Sequence, residues 1–184
     1  MNRPDQFSPD DVTVLKESAD IIADQAEEVG YQIIQMILNM SPVLKQVFPF
    51  MNTKDVKRQR EGMKNLAVKY VQVLTSFVEC IGDQRKLSSL YSRLLKAHNG
   101  LDELQMSTHW GVFTESTIYT IRQNLGQTCE FCDAEALDNA VTLWRRVIRE
   151  IVHNMKAAFS KRKERSTTLE AQGECSTSKQ ECCS

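Results

Sequence analysis

Residues 87–100 read LSSLYSRLLKAHNG, and their apolar spacing leaves little choice of local structure. Leu87, Leu90, Tyr91, Leu94 and Leu95 fall at 0, +3, +4, +7 and +8, which is one face of an α-helix. His98 follows at +11 on the same face. Asn99 and Gly100 then end the helix, because both tolerate the left-handed backbone that a helix terminus favours. A single imidazole is thus expected in the last turn of a short helix, pointing inward. Taken alone, this pattern suits a hydrogen-bonded core histidine as well as a metal ligand.

The same period recurs along the chain. Ser8-Pro9-Asp10-Asp11 reads as a helix start, with a capping hydroxyl, a proline suited to the first turn, and acids at the positive end of the helix dipole. Val12, Leu15, Ala19 and Ile22 continue it. A second segment carries Gly30, Ile33, Ile34, Ile37 and Met40. Gly30 inside a helix costs about 1 kcal/mol against alanine, so close approach of another backbone is expected there. Ser41-Pro42 breaks this helix, and VLKQVFPFM reads as a short turn of helix and a corner. A long helix is expected from about Asp55 to Ile81, its inward stripe being Met63, Leu66, Tyr70, Val73, Phe77 and Ile81. After the 87–98 helix, another is expected over about 104–125 with Trp110 and Phe113 inward. The last runs from about Asp133 to Phe159 through Leu137, Val141, Trp144, Ile148, Ile151 and Met155. No segment alternates with period two for long, so the expected class is all-α.

Composition sets the outer limits. With 184 residues, 41% of them hydrophobic, the chain can build one domain with a real core. The organisation expected is an extension over 1–7, a helical domain over 8–160 and a tail over 161–184. The tail opens with KRKER and continues in Ser, Thr, Glu, Gln, Lys and Cys, which bury too little apolar surface to offset ordering, so it is read as disordered. A net charge of −1 gives no reason to expect nucleic-acid binding. No run of 18 apolar residues is present, the first residues contain no apolar signal core, and Asn2 is not a myristoylation site. Six cysteines, three of them in the tail, do not form a small-domain disulfide framework. A reducing, cytoplasmic location is expected.

In combination these pieces resemble the globin family over roughly residues 8–160. Gly30 stands twelve residues before Pro42, and Pro42 six before Phe48. Phe48 matches the phenylalanine that globins wedge against the haem. ECIGDQRKLSSLYSRLLKAH resembles the corresponding stretch of cytoglobin-like and nematode globins, and Trp144 matches a tryptophan of the last helix. The resemblance implies a globin fold of six to eight helices around a haem pocket, haem b as cofactor and His98 as the proximal iron ligand. It places Ile34, Phe48, Leu66, Lys69, Tyr70 and Leu94 around the haem. The chemistry agrees, because haem iron takes a neutral imidazole within apolar walls that exclude water. His109 and His153 suit structural or surface positions better.

On the distal side the chain departs from the family, which commonly has a second histidine there. One alignment puts Leu66 at that place and Ala67 after it, able to meet Gly30; a register without a gap puts Lys69 there. Periodicity favours Leu66 facing the iron, with Lys69 reaching a haem propionate. Ile34 cannot hydrogen-bond a ligand. Tyr70 could do so if its hydroxyl turned inward, or it could be packed with the hydroxyl at an edge.

The function expected is reversible binding of oxygen or another diatomic gas, for transport or sensing, with no catalytic residue read. Haem-based redox or nitric-oxide and nitrite chemistry with an electron-transfer partner is the alternative, and a haem-free helical signalling module a third. Cys129-Glu-Phe-Cys132 is compatible with two ordinary thiols, a disulfide that tightens its corner, or, with added ligands, zinc. KRKER with Cys182 and Cys183 could form a two-part membrane attachment if acylated; equally, KRKER is the solvated end of the last helix.

Overall fold

The computed structural model describes residues 7–98 and 108–177, with side chains through residue 160. Among them there is no strand. The first helix, α1 (Pro9–Asp24), opens with a capping box. The Ser8 hydroxyl accepts from the Asp11 amide at 3.1 Å, and the Asp11 carboxylate accepts from the Ser8 amide at 3.0 Å. A break at Gln25 leads into α2 (Ala26–Met40). Ser41-Pro42 stops α2, as expected, and two 3-10 turns follow, Pro42–Val47 and Pro49–Asn52. Then come α3 (Val56–Glu79), α4 (Gln84–Ala97), α5 (Trp110–Leu125) and α6 (Ala134–Thr177).

The close approach expected at Gly30 is present, and its partner is Ala67 on α3. A Cβ on Gly30 would collide with the Ala67 carbonyl. Two small residues at one crossing let the α2 and α3 backbones touch. That contact changes which residues of α3 are buried. Met63 and Phe77 are buried as expected, but Ala67, Val71, Leu74 and Val78 are buried too, whereas Leu66, Tyr70, Val73 and Ile81 are half-buried. The helix therefore covers two adjacent stripes. One lies against α1 and α2, and the stripe read from the sequence is its flank.

Trp144 ties the last helix to the first. Its Nε1 donates to the Ser18 Oγ at 2.9 Å, and both residues are fully buried. Ser18 in turn donates to the Leu15 carbonyl at 3.0 Å, so neither polar group is left without a partner.

The corner before α3 is clamped from both ends. Phe48 and Phe50 stack with ring centroids 5.6 Å apart. Phe50 sits against Gly62 of α3 so closely that a Cβ there would overlap its ring. The Gln59 side chain donates to the Thr53 carbonyl at 2.6 Å.

Two expected boundaries differ. Helix α5 starts at Trp110, with Thr108 and His109 in a turn, rather than near Leu104; residues 104–107 lie outside the described ones. His109 is held in that turn through its side chain, by a contact 68 positions away in sequence that periodicity does not show. Helix α6 is continuous to Thr177, past the end expected near Phe159. The stretch after Phe159 is rich in Lys, Arg, Glu, Ser and Thr. Its Lys, Arg and Glu residues extend an existing helix at little cost.

Candidate functional site

Helix α4 is placed by a tight turn. Gly82 has φ of +87°, a left-handed backbone that glycine adopts without strain. Asp83 then caps the helix, its carboxylate accepting from the Arg85 and Lys86 amides at 3.1 Å each. Those amide bonds, the Lys86 one first, hold the Asp83 carboxyl below its ordinary value. Of the apolar stripe only Leu90 is fully buried; Leu87, Tyr91, Leu94 and Leu95 are half-buried. The helix thus lies on the core along one line of side chains.

His98 is the C-cap of α4 and is half-buried. Its Nδ1 lies 2.8 Å from the Leu94 carbonyl oxygen. A carbonyl can only accept, so the proton sits on Nδ1 and the lone pair on Nε2. The backbone amide of His98 donates to the same carbonyl at 3.1 Å. Ring orientation and tautomer are therefore both set by one backbone oxygen. This is the donor state that an iron or other metal ligand needs. Asn99 and Gly100, expected to end the helix, lie outside the described residues.

Ile34, Phe48, Leu66, Tyr70 and Leu94 belong to one contiguous apolar cluster with Phe113. Ile34 is buried and the other four are half-buried. Lys69, one position before Tyr70, is exposed. The Ala67–Gly30 contact is the one that accompanies the alignment with Leu66, and not Lys69, at the distal place.

Tyr70 has its proton committed. Its hydroxyl is 2.7 Å from the Thr117 Oγ1 on α5. Thr117 donates its own proton to the Phe113 carbonyl at 2.6 Å, so Tyr70 is the donor of the pair. The hydroxyl is thus packed against α5, and its proton is not available to a ligand. Thr117 is the site residue that sequence reasoning missed. It stands four residues after Phe113, where a threonine often bonds back to its own helix, but nothing local connects it to Tyr70.

Burial pushes the Tyr70 phenol up to about 12. Burial likewise pushes Tyr91 up to about 12, with an Asn154 bond at 3.1 Å opposing it. An unfolded tyrosine ionises near 10, so below pH 10 both phenols are neutral in either state and stability is unaffected. From pH 10 to about 12 the unfolded chain releases these protons first, and stability falls. Tyr70→Phe is expected to make that decline shallower, at a cost of about 1 kcal/mol at neutral pH for the lost hydrogen bond. Urea unfolding followed by circular dichroism between pH 8 and 11.5 measures it. Parallel curves for the two proteins would remove Tyr70 from the account.

The other histidines stand elsewhere. His109 Nδ1 is 3.0 Å from the Ser41 hydroxyl, joining the start of α5 to the end of α2. His153 is exposed on α6. Cys129 and Cys132 are exposed in the corner between α5 and α6. Among the described residues no three His, Cys, Asp or Glu side chains converge as a metal site, so no zinc partner joins the two cysteines there. Nor is any described helix long and apolar enough to cross a membrane.

The globin family model matches residues 32–155. That is more than half of the 184-residue chain, and the protein belongs to the globin family. No curated protein matches the chain significantly. The match supports a haem-binding globin in general terms, and the all-helical fold among the described residues agrees with it.

Proposed function

We propose that the protein holds haem b through His98 and reversibly binds oxygen or another diatomic gas against an apolar distal wall, as a gas sensor or redox partner more than as an oxygen store. The observation that carries this reading is the hydrogen bond from His98 Nδ1 to the Leu94 carbonyl, which leaves Nε2 as the donor atom. Haem would supply an iron able to bind a small gas, and His98 Nε2 would hold it. The rest is done by the chain. The Leu94 carbonyl fixes the His98 ring, Phe48 and Leu66 would wall the pocket, and exposed Lys69 would suit a propionate.

The distal side follows from the crossing. With Ala67 against Gly30, Leu66 is the distal residue and Ile34 stands on the facing turn of α2. Neither has a hydrogen-bond donor. The Tyr70 proton goes to Thr117. A gas that gains negative charge on binding, as oxygen does, receives no hydrogen bond here, and such a bond is worth about 1.4 kcal/mol, or tenfold in release rate.

Two measurements test this. The reduced, ligand-free protein is expected to show a high-spin, five-coordinate spectrum. Leu66→His is expected to slow oxygen release about tenfold. A low-spin six-coordinate reduced spectrum, or an oxygen release rate unchanged by Leu66→His, overturns the proposed distal side.

A further inference from the structure

Two free thiols stand on the corner between α5 and α6, and the function proposed above makes no use of them. Cys129 and Cys132 are both exposed. The residues between them, Glu130 and Phe131, form a turn. Phe131 is 5% exposed and belongs to the main apolar core. One ring thus pins the turn to the domain, and the cysteines flank that ring on its solvent side.

The corner is held from both ends. At the end of α5 the Thr128 amide and hydroxyl both donate to the Leu125 carbonyl, at 3.0 and 2.8 Å. At the start of α6 the Asp133 carboxylate accepts from the Glu135 and Ala136 amides, at 3.1 and 3.0 Å. The two cysteines are the first and fourth residues of a turn whose flanks are fixed. Such residues have Cα atoms less than about 7 Å apart, and a disulfide spans Cα separations of about 4.4–6.8 Å. A bond between the sulfurs can therefore close over the turn by side-chain rotation, with the helices left in place. At such short range the second thiol competes at an effective concentration of about a millimolar or more.

We propose that Cys129 and Cys132 are a reversible dithiol–disulfide site whose co-substrate is a small soluble disulfide of the glutathione type. One cysteine thiolate attacks a sulfur of oxidised glutathione, forming a mixed disulfide and releasing one reduced glutathione. The other cysteine then attacks the protein sulfur of that mixed disulfide, closing Cys129–Cys132 and releasing the second glutathione. The two protein thiols give up two electrons, the glutathione disulfide takes them, and both protons leave on the two glutathione thiols. His98 takes no part, so this site stands apart from the proposed gas binding.

The full-length, haem-loaded chain tests it, incubated under argon so that oxidised glutathione is the only small-molecule oxidant. Remaining thiols are then blocked with N-ethylmaleimide and the tryptic peptides are weighed. Cleavage after Arg122 and Arg145 isolates residues 123–145, which contain Cys129 and Cys132 and no other cysteine. That peptide is expected to lose both labels, to be two hydrogens lighter than the dithiol, and to regain both labels after an excess of reduced glutathione. Cys129→Ser and Cys132→Ser each stop the sequence at its first step, so the remaining cysteine is expected to carry one glutathione. Both side chains are exposed, and thermal unfolding of the two variants should match the reduced parent. A 123–145 peptide that keeps both labels in oxidised glutathione, that carries two glutathiones, or that is joined to a peptide holding another cysteine overturns the proposal.

Discussion

His98→Ala is expected to abolish the Soret band of the haem-supplied protein while the helical circular dichroism persists. The reasoning starts from one proton. Because the Leu94 carbonyl holds Nδ1–H at 2.8 Å, Nε2 is always the free donor, and the ring does not have to be ordered when the iron arrives. Removing a hydrogen-bond partner of a ligating histidine typically costs 10- to 100-fold in metal affinity. Removing the ligand itself should therefore weaken haem retention by more than about 100-fold. The fold should survive, because His98 is half-buried at a helix end and α4 rests on the core chiefly through Leu90. Added imidazole should restore the spectrum of His98→Ala by entering the space left by the ring, which a merely structural role would not allow. His109→Ala loses a contact with Ser41 and His153→Ala loses an exposed ring, so both should keep haem. Retention of a normal haem spectrum by His98→Ala, or equal loss in all three variants, would show the assignment to be wrong.

Gly30→Val is expected to cost about 3 kcal/mol or more, at the upper end of what overpacking does. The new Cβ meets the Ala67 carbonyl, carbonyl carbon and Cα, all of them backbone. A side chain could rotate aside; a helix backbone cannot, so α2 and α3 must separate along their shared face. For a domain of this size such a loss lowers the melting temperature by roughly 6–12 °C. It should also displace Ile34 and Leu66, the two residues proposed to face the gas, because they flank the crossing. Calorimetry and oxygen release rates of the same variant check both effects. A melting temperature within a degree of the parent would show that the crossing is looser than its geometry.

Much of this protein can be read locally. The Ser8–Asp11 capping box, the stop at Ser41-Pro42, the turn at Gly82-Asp83 and the inward stripe of α6 through Trp144 all follow from side chains a few residues apart. Even the orientation of the His98 ring is of this kind, since its hydrogen-bond partner is the carbonyl one turn earlier. The start of α5 and the extent of α6 were less legible. The first is set by a histidine–serine contact across the fold. The second runs through KRKERSTTLE, which has almost no apolar residue and so no apolar period to read.

What the sequence by itself determined is therefore the set of helices and most of their ends. These are properties of backbone sterics and of spacings of three or four residues, and they do not need a partner element. Only the tertiary structure decided where α2 and α3 touch. Periodicity favours Leu66 over Lys69 on the inward face, and the packing adds that Ala67, the next residue, is the one that lets Gly30 approach. The Tyr70 hydroxyl could have faced a ligand or the protein, and Thr117, 47 positions away, takes its proton. Helix periodicity says which face is inward; only the packed neighbour says where along that face the contact falls and where each proton goes.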